Sequence, residues 1–178
     1  KSRKLTVEGT LSDSEINRNG AFRFEEIEVK GYQDSIISLI ICQPTATDNP
    51  SAVIYNIHGG GMVSGNNRTA ELAGELKRAE QLNLAVVSVN YRLAPEHPDP
   101  IPLEDCYAGL EWLSANLNKY NFRSDRIIVS GNSAGGGLAA GVTLLARDRR
   151  GPNIMAQMLQ CPMLDDRCNT PSAVQMEG

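Results

Sequence analysis

Residues 130–136 read SGNSAGG, which sets a single serine, Ser133, between Gly131 and Gly135. The apolar run RIIVS lies before this turn and GGGLAAGVTLLARDRR after it, so the spacing G-x-S-x-G falls where a predicted strand passes into a predicted helix. That context is the one in which a serine hydroxyl is held out as a nucleophile. The turn is tight, and glycines on either side keep β-carbons from colliding. The first N–H groups of the following helix, with the positive end of its dipole, then face any oxyanion that forms. A serine that only lets the chain turn fits the same five residues.

A second stretch bears on that choice. His58-Gly59-Gly60-Gly61 follows the apolar run AVIYNI and precedes a predicted helix. Three glycines in succession let the main chain approach a ligand and leave N–H groups free to donate. A plain flexible loop has the same composition. A phosphate-cradling loop would need G-x-x-x-x-G-K-[ST] or G-x-G-x-x-G, and GGGMVSGNN supplies neither register with a lysine or an acidic ribose partner. An HGGG loop on an earlier strand is the known companion of a G-x-S-x-G turn, supplying the other half of an oxyanion hole. The two together, in this chain order, are more specific than either alone. A third stretch, Tyr91-Arg92-Leu93-Ala94-Pro95-Glu96-His97-Pro98, is a proline-stiffened loop whose residues need do no more than connect rigidly.

Serine is a weak nucleophile unless a neighbouring base takes its proton. No histidine follows Ser133; His58 and His97 both precede it, and the acids that follow it are Asp148, Asp165, Asp166 and Glu177. Triads in other chain orders exist, so His97 remains open as a base. Asp165 and Asp166 stand beside Arg167, where loop anchoring or helix capping accounts for them.

The elements that must position these residues can be read from periodicity. FRFEEIEVKGY and SIISLIICQP, separated around Gln33-Asp34, suggest an antiparallel hairpin, with Phe22, Phe24, Ile27 and Val29 in partial alternation. AVIYNI, LAVVSV, RIIVS and IMAQMLQCP are short continuous apolar runs, the pattern of strands covered on both faces. Helical spacing marks NNRTAELAGELKRAEQL, with Ala70, Leu72, Ala73, Leu76 and Ala79 on one side, and also LEDCYAGLEWLSANLNKY. Strand and helix alternate, so the expected class is α/β: a mostly parallel central sheet, helices on both faces, and the antiparallel hairpin at one edge.

The chain has 178 residues, 41% apolar and 21% charged, enough for one domain, residues 1–178, with a core of its own. The net charge of −4 and the lack of a basic block exclude nucleic acid and an anionic membrane surface as partners. No apolar run reaches the roughly 20 residues of a membrane span, and KSRKLTVEG has no apolar segment behind its basic residues, so no secretory signal is expected. The chain does not begin with methionine, which suggests a start inside a longer protein. Cys42, Cys106, Cys161 and Cys168 lack CxxC spacing and read as free buried thiols of a reducing compartment, hence a cytoplasmic location. With two histidines and no cysteine cluster, neither a metal nor another cofactor is expected.

HGGG, YRLAPEHP, GNSAGG and CPMLDDR together resemble the hormone-sensitive-lipase-like branch of the α/β-hydrolases, the group IV carboxylesterases, from about Ile36 to about Asn169. One departure is Asn132, where many relatives carry an acid before the serine; it changes local polarity and leaves the serine in place. The resemblance implies an α/β-hydrolase fold, cut after about its sixth strand, and an esterase acting through an acyl-serine on small-molecule esters. It implies Ser133 as nucleophile; Gly60, Gly61 and Ala134 as oxyanion-hole N–H donors; and His58, with Gly59, Gly131 and Gly135, as support. Arg92, Glu96 and His97 would form a structural network beside the site. The family's acid and histidine come later than any residue of this chain, so the 178 residues are expected to be inactive alone and to self-associate through an exposed sheet edge. The usual N-terminal cap helices are also mostly missing. The alternative is a small-molecule binding protein on the same scaffold, as the plant gibberellin receptors are, without catalysis.

Overall fold

A computed structural model describes residues 9–176. The basic N-terminal run and Glu177 lie outside the described residues. Six strands form one sheet: β1 (Phe22–Lys30), β2 (Ile36–Pro44), β3 (Val53–Ile57), β4 (Ala85–Asn90), β5 (Ile127–Asn132) and β6 (Ala156–Gln160). Their order is β1-β2-β4-β3-β5-β6. β1–β2 and β2–β4 pair antiparallel, and every pair from β4 to β6 is parallel.

Helices cover both faces. α1 (Asp13–Asn17) and α2 (Ala70–Leu82) bury Ile16, Leu72, Leu76 and Ala79 against Ile40, Ile54 and Val86. On the other face α3 (Ile101–Asn116) and α4 (Ala134–Asp148) bury Leu110, Leu113, Leu138 and Val142 against Tyr55, Val87 and Val129. Neighbours along β3 thus serve opposite cores, which is why its five residues are all buried and its sequence shows no alternation. A short α5 (Pro171–Gln175) follows β6. Among the described residues no helix is long and apolar enough to cross a membrane.

The partial alternation in β1 has a physical cause. Phe22 belongs to the α1–α2 core and Val29 to the α3 core, so the two ends of one strand bury opposite faces. The break between the two strands is tighter than a plain loop, a 3₁₀ turn over Tyr32–Asp34. α1 and α5, five residues each, were not expected from periodicity because one helical turn gives too few repeats. Two cysteines also depart from expectation: Cys42 and Cys106 are buried, whereas Cys161 and Cys168 are exposed.

Register sets the functional geometry. Ile57 at the end of β3 lies opposite both Val89 of β4 and Gly131 of β5, and Asn132 lies opposite Gln160 of β6. The loops that leave β3 and β5 therefore emerge side by side at one end of the sheet.

Candidate active site

Ser133 stands alone between the last residue of β5 and the first of α4, with φ 55° and ψ −119°. A positive φ is uncommon for a residue with a β-carbon, and it persists only where the surroundings dictate it. Three main-chain bonds do so: Ser133 N–H donates to Gln160 O at 2.9 Å, and Ser133 O accepts from Gly137 N at 3.1 Å and Met163 N at 3.0 Å. The flanking glycines are required by close approach. A β-carbon on Gly131 would run into the carbonyl of Gly135, and one on Gly135 into the carbonyl of Ile57. The elbow is thus pressed onto the end of β3 with no room for a side chain. The serine is half-buried, and its hydroxyl makes no hydrogen bond among the described residues.

The glycine loop after β3 lies against the serine. A β-carbon added to Gly59 would sit 2.9 Å from Asn132 O, 3.1 Å from Glu71 Oε1 and 3.6 Å from Ser133 Cβ. Gly60 and Gly61 turn away with φ 104° and 64°. Among the described residues the N–H groups of Gly60, Gly61 and Ala134 donate to no protein acceptor. A cavity of about 210 Å³ opens beside this loop, lined by Gly59, Gly60, Ser64, Thr69 and Glu71.

His58 is fully buried and stacks on Tyr91, with ring centroids 4.2 Å apart and planes 11° from parallel. Its Nδ1 lies 2.8 Å from Gly59 O, and a carbonyl only accepts, so Nδ1 carries the proton. Burial lowers its pKa to about 4, against the opposing effects of that hydrogen bond and of Glu71, so the ring is neutral at pH 7. Tyr91 Oη donates to His58 O at 2.9 Å. The imidazole thus grips its own loop from behind. His97 sits on the loop after β4, which β3 separates from β5, and lines a groove of about 450 Å³ with Glu28, Ile36, Arg92 and Glu96.

Arg92, on the loop after β4, is held from α3 and from the turn after β1. The guanidinium forks onto Asp105, Nε to Oδ2 at 2.7 Å and Nη2 to Oδ1 at 2.9 Å, and Nη2 also reaches Tyr32 O at 2.9 Å. Asp105 is fully buried on α3 and carried no motif that would single it out. Asp165 accepts from Arg167 at 3.0, 2.8 and 2.7 Å, and these bonds hold its carboxyl below the usual range. It anchors its own loop.

Two contacts at the elbow went unnoticed in the sequence. Cys161 Sγ lies 3.0 Å from Asn132 Oδ1, joining the residue before the serine to the segment after β6. Glu75 on α2 is buried and accepts from Ser130 Oγ at 2.9 Å and from Gln160 Nε2 at 3.2 Å. Glu75 could have been found: with Leu72, Leu76 and Ala79 it completes the i, i+3, i+4, i+7 stripe of α2, where a charge is out of place.

A family model described as the alpha/beta hydrolase fold matches residues 54–177, from within β3 past α5. The chain belongs to the alpha/beta hydrolase family. Relatives of the chain include esterase LipI of Mycobacterium tuberculosis, 38% identical over 79% of the chain and 44% of LipI. Carboxylesterase NlhH of the same species is 39% identical over 72% of the chain and 40% of NlhH. Among solved structures, a bacterial heroin esterase superposes with TM-score 0.81 at 38% identity, covering 86% of the chain and 49% of the esterase. The chain spans less than half the length of the curated relatives it matches.

Proposed function

We propose that residues 1–178 are one catalytic unit of a carboxylic-ester hydrolase that carries the nucleophile and oxyanion half of the reaction. The observation that carries this reading is the packing of the Gly59–Gly61 loop against a serine held at positive φ on a strand-to-helix turn. Ser133 Oγ attacks the ester carbonyl carbon, and the carbonyl electron pair becomes an oxyanion. The N–H groups of Gly60, Gly61 and Ala134 receive that charge without reorganising, the form of stabilisation worth most in such sites. Collapse of the intermediate expels the alcohol, which takes the serine proton, and leaves an acyl-serine that water hydrolyses.

The proton must pass through a base. His58 is fully buried against Tyr91, with its basic Nε2 reaching no partner among the described residues, and His97 lines a groove over β2 and β4. The reading therefore assigns base and acid to the family's later loops, in the order serine, acid, histidine. Small-molecule esters are the substrate class. Four unpaired cysteines accord with a reducing compartment, and the cytoplasm is the proposed location.

A fluorophosphonate probe tests the assignment. Where the family's acid and histidine accompany this chain, Ser133 is expected to be labelled, and Ser133→Ala to abolish labelling. A wild-type protein that binds small esters yet leaves Ser133 unlabelled would instead be a binding protein on a hydrolase scaffold.

A further inference from the structure

Glu75 occupies an apolar slot of α2 and is 2% exposed. Its Oε1 accepts from Ser130 Oγ at 2.9 Å and from Gln160 Nε2 at 3.2 Å, and its Oε2 accepts from Arg78 Nη1 at 2.6 Å. Ser130 lies on β5, three residues before Ser133, and Gln160 is the last residue of β6. The main-chain carbonyl of that same Gln160 accepts the Ser133 N–H. One carboxylate therefore joins α2, β5 and β6 at the level of the elbow.

We propose that Glu75 is a positioning residue for Ser133: by holding the Gln160 side chain it fixes the Gln160 carbonyl that in turn fixes the Ser133 main chain. The catalytic meaning of this tie rests on the reading of Ser133 as nucleophile. The tie bears on the elbow because Gln160, at the end of β6, and Met163, just beyond it, make two of the three main-chain bonds that hold Ser133 at φ 55°.

The residue type makes the same point. Leucine in this slot would continue the stripe of Leu72 and Leu76 without the desolvation that a buried carboxylate suffers. It could not accept from Ser130 and Gln160. Glu71, one turn earlier, adds like-charge repulsion at i, i+4. The helix carries both costs, and the bonds to β5 and β6 are what it gains.

Amide hydrogen exchange followed by NMR on the ¹⁵N-labelled chain reads the tie directly. Glu75→Ala is expected to speed exchange of the Ser133 amide by about tenfold or more relative to amides of β3 and β4. Glu75→Gln, which keeps an oxygen for Ser130 and Gln160, is expected to restore most of the protection. Gln160→Ala, which keeps the main-chain carbonyl but loses the arm, should reproduce the selective loss, and it decides the matter if Glu75→Ala does not fold. Acceleration of all core amides by one common factor would mean a merely structural role and overturn the proposal. So would an unchanged Ser133 amide in Gln160→Ala. Where wild-type Ser133 reacts with the phosphonate, Glu75→Ala should slow that labelling by about tenfold, with Glu75→Gln closer to wild type. An unreactive wild-type Ser133 overturns the hydrolase reading and the catalytic meaning of the tie, whereas the exchange pattern still decides whether the tie exists.

Discussion

His58 shows how burial ties the charge of one side chain to the fold. Its ring is sealed between Tyr91 and its own loop, and burial depresses its pKa to about 4. An unfolded chain would titrate the same imidazole near 6.5, so between those values the unfolded state binds the proton and the folded state does not. The stability this neutral ring provides is complete above about pH 6.5 and is lost as pH falls toward 4. Between pH 7.5 and 4.5 the loss attributable to His58 is on the order of 2–3 kcal/mol. Urea unfolding at the two pH values checks it: His58→Asn, whose amide can still donate to Gly59 O, should lack that part of the pH dependence. Equal losses in both proteins would contradict it. The same contrast explains what could be read at this scale. Ser133, His58 and the glycines stood out because they fall in two short contiguous motifs, HGGG and GNSAG, whereas Glu75 and Asp105 belong to no motif and act through partners 55 to 85 and 13 to 73 positions away.

Between elements, the Arg92–Asp105 pair ties three parts of the fold together. Asp105 on α3 receives the guanidinium from the loop after β4 and the Tyr32 N–H from the turn between β1 and β2, at 2.9 Å. Removing one partner of a buried pair leaves the other uncompensated, at a cost of about 3 kcal/mol. Asp105→Ala is therefore expected to lower the melting temperature by roughly 6–12 °C for a chain of this size, measured by calorimetry. Asp105→Asn, which keeps an acceptor for Tyr32, should lose less. A change below about 2 °C in Asp105→Ala would show that water replaces the aspartate. The elements joined here were legible as strands and helices because β3, β4 and β5 are short runs that are mostly apolar and α2 and α3 are long enough to show a period. Strand order was not: β4 between β2 and β3 follows from the right-handed crossovers only once both sheet faces must be covered. The short α1 and α5 were beyond reach for the same reason of length.

At the scale of the whole molecule, the outer side of β6 governs how these 178 residues behave by themselves. β6 meets β5 on one side and no other strand among the described residues, and it is flanked by exposed Met155, Met163 and Leu164. An open edge beside apolar side chains is a template for pairing with another copy. The chain alone should therefore associate, its weight-average mass in sedimentation rising above 19.3 kDa with concentration. Met155→Lys, a charge set at an exposed position beside the edge, should shift that rise to higher concentration while leaving thermal unfolding nearly unchanged. Catalysis should be weak in the same preparation. On the proposed reading, with Ser133 as nucleophile and its base outside these residues, only the oxyanion donors and substrate binding would act, and such remnants retain about 10³–10⁴-fold acceleration over water, far below a complete triad. Turnover of p-nitrophenyl acetate near that floor, unaffected by dilution, is the expected result. A monomeric preparation with brisk turnover, abolished by Ser133→Ala, would mean that a group within these residues serves as base, and His97→Ala would then be the variant to make first.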